Sequence, residues 1–279
     1  MIDTKPANRP RWLCLLLIAL CAITGAGGRA WAQSWPASEP INLTIYSPGE
    51  HEILGHSHYE IIRLDIGAEI KGEAHYLSGE SDVERGRIEF GSAGEMPVLT
   101  NFSHIFLLAN GGQQLAAEAD IKSGKATCNR YEDGTVKSVS STLDFPGDTY
   151  AGATVLIPIE HALRQGIRKG IKFHVFNCLP NPRVLAVEAD ADSLGGRWAS
   201  YPSGMTRVTV RPDFGWLNLL AGPFLPKSYA WFDPAQDWEY LGGQTTRFYR
   251  GPALELVRTP QAGKPAASAP PSPQALSTR

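Results

Sequence analysis

Residues 62–76 read IRLDIGAEIKGEAHY. Ile62, Leu64, Ile66, Ala68, Ile70, Gly72, Ala74 and Tyr76 recur at every second position. Arg63, Asp65, Glu69, Lys71, Glu73 and His75 fill the places between them. A period of two is the signature of a strand with one wet and one buried face, because successive side chains point to opposite sides. The stretch therefore predicts a half-buried antiparallel strand or strand pair. It exceeds the usual strand of about five or six residues, so a bend near Gly67 or Gly72 is expected.

The same alternation spreads in both directions. Ile88 and Phe90 stand opposite Arg85, Arg87 and Glu89. Leu115, Ala117, Ala119 and Ile121 stand opposite Glu118, Asp120 and Lys122. Val139, Leu143 and Phe145 stand opposite Ser138, Ser140 and Thr142. Further strands are expected at 41–46, 125–131, 170–178, 183–190, 205–211, 227–232, 245–250 and 253–258. Many are separated by turn pairs such as Ser123-Gly124, Asn181-Pro182 and Gly251-Pro252. Two short helices interrupt them. One has Pro158 at its first position and runs to Gly166. The other is capped by Asp213 and carries Trp216, Leu217, Leu219 and Leu220. The fold class is mainly β: a strongly curved antiparallel sheet whose apolar face needs cover, with the two helices supplying it.

Lys5, Arg9 and Arg11 precede an apolar run, WLCLLLIALCAIT (12–24), and Ala30-Trp31-Ala32 follows. This is the pattern of a secretory signal peptide cleaved after Ala32, and the run is shorter than the roughly 20 residues that span a bilayer. The expected organisation is a signal peptide at 1–32, one folded domain at 33–258, and a Pro/Ala/Ser-rich tail at 259–279 that buries too little to order itself. The secreted chain is expected in the periplasm with no membrane span. Losing Lys5, Arg9, Arg11, Arg29 and Asp3 leaves it with a net charge of about −5, which argues against nucleic acid. Cys14 and Cys21 depart with the signal. Cys128 and Cys178 remain in an oxidising compartment as a disulfide candidate, with a buried thiol pair as the alternative.

Residues 49–60, GEHEILGHSHYE, hold His51, His56 and His58. His56, His58 and Glu60 share one face of a strand. They form either a metal site, with His51 or Glu60 as third ligand, or a solvated strand edge. Glu188, Asp190 and Asp192 likewise share a face and read as a soluble surface or a calcium set. There is no G-x-S-x-G, S-x-x-K or H-E-x-x-H. Aromatic residues crowd the end of the folded body, in the manner of an apolar pocket wall or simply of a core.

The segment FPGDTYAGATVLIPIEHALRQG (145–166), the stretch PFLPKSYAWFDPAQDWEYLGGQTTRFYRGPALELVRT (223–259) and the run GEAHYLSGESDVERGRIEF (72–90) resemble phrases of periplasmic proteins of unknown function with a β-clam, or half-barrel, fold. These are distantly similar to LolA-type lipoprotein carriers. The resemblance implies an apolar cavity between a curved sheet and short helices. It carries over Asp148, Thr149, Tyr150 and Gly152 only as the turn that places the first helix, and no catalytic residues.

The leading expectation is a non-catalytic periplasmic carrier of an acyl chain or other apolar small molecule, without a cofactor. Position suggests Tyr150, Phe176, Trp216, Leu220, Tyr229 and Trp231 as its ligand contacts. The alternatives are a metal-dependent hydrolase using His56, His58 and Glu60, and a structural envelope module whose groove is filled by its own side chains and whose partners are envelope proteins.

Overall fold

The computed structural model describes residues 40–48, 52–91, 95–132, 135–178, 181–192, 204–215, 227–246 and 253–259. Eight strands come first: β1 (Ile41–Tyr46), β2 (Ile53–Leu64), β3 (Gly67–Tyr76), β4 (Ser81–Glu89), β5 (Val98–Leu107), β6 (Gln113–Asp120), β7 (Lys125–Glu132) and β8 (Thr135–Thr142). The two-residue β9 (Thr149–Tyr150) leads into a 3-10 turn (Gly152–Val155) and helix α1 (Leu156–Arg164). Then follow β10 (Ile171–Cys178), β11 (Pro182–Asp192), β12 (Thr206–Pro212), β13 (Ser228–Asp233), β14 (Glu239–Thr246) and β15 (Ala253–Arg258).

All fifteen strands belong to one sheet, ordered 8-7-6-5-4-3-2-1-15-14-13-12-11-10-9. Every pairing is antiparallel except the short one between β9 and β10. The two ends of this sheet, β8 and β9, are adjacent in sequence but do not pair. They overlap instead: β9 lies against β5, β10 against β6, and β11 against β7 and β8. The sheet is thus rolled, not closed by hydrogen bonds. A disulfide joins Cys128 on β7 to Cys178 on β10, with Cα atoms 5.7 Å apart, and staples the overlapping layers.

The stretch 62–76 proves to be a hairpin. Leu64 pairs directly with Gly67 across a two-residue turn, so the phase of the alternation reverses at Asp65–Ile66. Ala68, Ile70, Ala74 and Tyr76 are buried on β3, and their partners on β2 are Arg63, Ile61, Ser57 and Gly55. Ile62 pairs with Glu69 and so shares its face, not that of Ile70, and Ile66 at the turn is 62% exposed. The expected bend at Gly67 or Gly72 is therefore a full reversal just before Gly67. Further along, Gly86, Phe102, Ala119 and Ala126 form one buried row across β4 to β7, and Ile88 packs opposite Leu99 beyond a register shift; on β8 the expected inward residue Val139 is exposed.

The first helix begins earlier than Pro158 suggested. Pro158 is the third residue of α1, within the first turn, where no backbone N–H is owed to the helix. The inner face of α1 buries Ile157, Ile159, Ala162 and Leu163 against the sheet. Burial of each larger one of these is worth about 1.5–3 kcal/mol. The second expected helix, with Trp216 and Leu220, lies outside the described residues. The strand expected at 245–250 begins earlier, as Glu239–Thr246, with Gly242 and Gly243 paired to Val257 and Leu256 inside the ladder; residues 247–250 lie outside the described residues.

The Cys128–Cys178 bond closes a span of 50 residues. Chain-entropy arithmetic assigns such a loop about 4 kcal/mol. A Cys128→Ser/Cys178→Ser double variant is expected to lose stability of that order in urea unfolding, and 5,5′-dithiobis titration of the unfolded wild type without reductant is expected to find no free thiol at these positions.

Candidate functional site

The most polar place on the inner face lies where α1 enters the roll. On β4, Asp82, Glu84, Gly86 and Ile88 follow one another at strand spacing, and His104 on β5 stands opposite Glu84. Asp82 Oδ1 lies 3.0 Å from His104 Nε2, and the Tyr76 hydroxyl donates to Asp82 Oδ2 at 2.9 Å. Glu84 Oε1 accepts the backbone N–H of Ala153 at 2.6 Å. A carboxylate thereby meets the free N–H groups of the 3-10 turn that opens the helix, a favourable place for negative charge.

Two glycines make this approach possible. Gly152 has φ +51°, and any Cβ there would strike the Glu84 carboxylate. A Cβ on Gly86 would stand 2.6 Å from Thr154 Cγ2. Thr154 in turn is fully buried, and its hydroxyl bonds both the N–H and the carbonyl of Ala151. The turn 148–152 therefore does place the helix, with Glu84 as its counterpart on the sheet.

The electrostatics follow from crowding. Burial pushes the Glu84 carboxyl above the usual range, against the opposing pull of the Ala153 N–H and of His104. Burial opposes charge on His104, but the hydrogen bond and charge of Asp82, together with Glu84, outweigh it and raise its pKa. Tyr59, and behind it Tyr240, are held protonated by burial, Tyr59 also by the nearby Glu84. This cluster fixes a helix end and orients a histidine.

A second charged group sits at the other end of α1. Arg164 donates to Glu160 Oε1 at 2.6 Å and lies 3.2 Å from Asp237 Oδ2. Asp237 and Trp238 are consecutive residues with positive φ, +51° and +64°, and Arg168 lies over the Trp238 ring at 4.8 Å. Burial raises the Glu160 carboxyl to about 7, Arg164 opposing and Asp237 and Glu239 adding to the rise.

The residues singled out from sequence go to different places. Tyr150 is fully buried, its hydroxyl donating to the carbonyl of Pro97 at 2.7 Å and its ring edge-on to Phe173. Phe176 is buried between Phe102 and Phe145. Tyr229 and Trp231 alternate with Ala230 and Phe232, which are the residues of β13 in the main core. They stand 6.3 Å apart ring to ring, with Arg207 over Tyr229. The structure thus brings Tyr150 and Phe176 into one core and keeps Tyr229 and Trp231 apart from it. Trp216 and Leu220 lie outside the described residues. His56, His58 and Glu60 are exposed on β2, while Ser57 is buried between them. The phase reversal at the hairpin turns them to solvent, as the solvated strand edge requires. Glu188 and Asp190 are both bonded by Arg211 Nη2, at 3.1 and 2.8 Å, and Asp192 lies 3.6 Å from Arg207, so this acidic row is answered by β12.

Sequence reasoning missed Glu84 and His104. The signal was present: Asp82, Glu84 and Gly86 continue the two-residue phase of Ile88 inward. Acidic residues on an apolar face invite the question of what they cap.

The chain matches no protein-family model and no curated protein. Among solved structures it is similar to the crystal structure of a β-barrel-like protein of a domain of unknown function, DUF1849, from Brucella abortus. The TM-score is 0.42 and the identity 10%, over 79% of this chain and 94% of that one. No helix among the described residues is long and apolar enough to cross a membrane.

The Glu160 site gives a pH test. Its carboxyl takes up a proton more readily folded than unfolded, so between about pH 4.5 and pH 7 stability falls as pH rises. At about 1.36 kcal/mol per pH unit, the ceiling is about 3 kcal/mol. Glu160→Gln is expected to remove this slope. Urea unfolding at about pH 5 and about pH 8 should show the variant gaining on the wild type at the higher pH; an equal difference at both would contradict the assignment.

Proposed function

We propose that the chain is a non-catalytic interaction module of the bacterial-type periplasm, acting through its outer surface and strand edges with its interior filled by its own residues. The observation that supports this most is the position of α1. The helix, Tyr150, Phe173 and Phe176 occupy the inner face that a carrier of the LolA type would keep for its guest: α1 packs on β10, the 3-10 turn before it on β3 and β4, and β9 on β5. The leader-like N-terminus and the disulfide fit an oxidising, extracytoplasmic setting. At one end of the sheet, β8 is exposed along nearly its whole length, and its pairing to β7 runs without a bulge. A terminal strand of this kind is suited to receive an extended strand from an envelope partner.

The carrier reading, with an acyl chain or other apolar small molecule between sheet and helix, makes the opposite demand. It needs α1 to yield space now held by Ile157, Ile159 and Leu163. The hydrolase reading needs His56, His58 and Glu60 to face a substrate cleft, whereas they face solvent on the outer side of β2.

Native mass spectrometry and solvent extraction of the purified protein separate the first two readings. The module is expected to yield no stoichiometric amphiphile, and delipidation should leave its thermal midpoint unchanged, since no bound ligand contributes to stability. A one-to-one amphiphile whose removal lowers the midpoint would establish the carrier instead.

A further inference from the structure

We propose that the outer face of the β2–β3 hairpin binds a divalent transition-metal ion, zinc, copper or nickel, chelated across the strands by His56 and His75 with His58 and Glu73 beside them. The hairpin register puts His56 directly opposite His75 and His58 directly opposite Glu73. Three imidazoles and a carboxylate so form a two-by-two patch. Side chains directly opposite on antiparallel strands have Cβ atoms about 4.5–5.5 Å apart. Two imidazoles at that spacing reach one ion at Zn–N distances of about 2.0–2.1 Å.

The neighbours are arranged accordingly. His58 Nδ1 lies 2.8 Å from Asn42 Oδ1 on β1. A carboxamide oxygen can only accept, so Nδ1 carries the proton and the Nε2 lone pair is left outward. This is the arrangement in which metal-bound histidines are held by an acceptor on the other ring nitrogen. His75 Nε2 already lies 3.7 Å from Glu73 Oε2, and both side chains are largely exposed and free to rotate. Among the described residues no three such side chains converge as a ready-made centre. The strand register fixes the ligands' stems, and side-chain rotation alone gathers their tips.

Topology also corrects the ligand set that a single strand suggests. At about 3.3 Å per residue, Glu60 stands about 13 Å along β2 from His56, too far to share an ion with it comfortably. Glu60 faces Lys71 instead. Imidazole donors favour zinc, copper and nickel over magnesium and calcium.

The test is isothermal titration of the untagged protein with zinc chloride, with circular dichroism to show that each variant is folded. One saturable site is expected. His56→Ala and His75→Ala should each weaken it by about tenfold or more, the equivalent of about 1.4 kcal/mol, and Glu60→Ala should leave it unchanged. The proposal fails if zinc uptake is not saturable, if the His56→Ala/His75→Ala double variant binds like the wild type, or if Glu60→Ala weakens binding as much as His56→Ala does.

Discussion

A fifteen-stranded sheet with one apolar face cannot stay open in water, and the way this face is covered determines everything else. The cover is supplied by the chain segment that joins the two ends of the sheet. After β8 the chain crosses to β9, turns at Gly152 and lays α1 along the inner face, so that the sheet rolls around its own connection. The contact between Glu84 and the Ala153 N–H pins the entry of the helix, and Cys128–Cys178 pins the layers that close over it. Burying the Glu84 carboxyl opposes its ionisation, and the hydrogen bond it accepts partly offsets that cost.

Much of this architecture could be read from residues alone, because alternation is a local property and strands announce themselves through it. The strands at 41–46 and 253–258 appear with the expected bounds. The turn Asp148–Gly152 leads directly into the 3-10 turn and α1, as the family resemblance implied. The failures share a cause: they depend on which segments pair, and local alternation does not encode pairing. An unbroken alternation across a two-residue hairpin looks identical to one long strand, yet it sends Ile62 and Ile70 to opposite faces. Gly242 and Gly243 sit inside the ladder between β13 and β15, so β14 begins earlier than the expected strand at 245–250, and only the pairing shows it. The disulfide candidate Cys128–Cys178 is formed, but its formation rests on the approach of β7 to β10, which no local pattern encodes. Glu84 and His104 were missed because each looks like a solvated residue until the helix end is placed above it.

The functional consequence is a division of labour between faces. Inner residues, including Tyr150 and Phe176, are committed to holding the roll together. The outer face of the β2–β3 hairpin instead carries exposed charged and histidine side chains, among them His56, His58, Glu73 and His75.

The central claim is that α1 is core and not a removable lid. Native-state hydrogen exchange of the α1 amides, followed against those of the central strands β3 and β4, tests it most directly. If the helix is core, its amides from Glu160 to Arg164 exchange only with global unfolding, with the same denaturant dependence as the strands. Exchange of these amides through a low-energy local opening, while β3 and β4 stay protected, would show a hinged lid over an accessible interior and contradict the account.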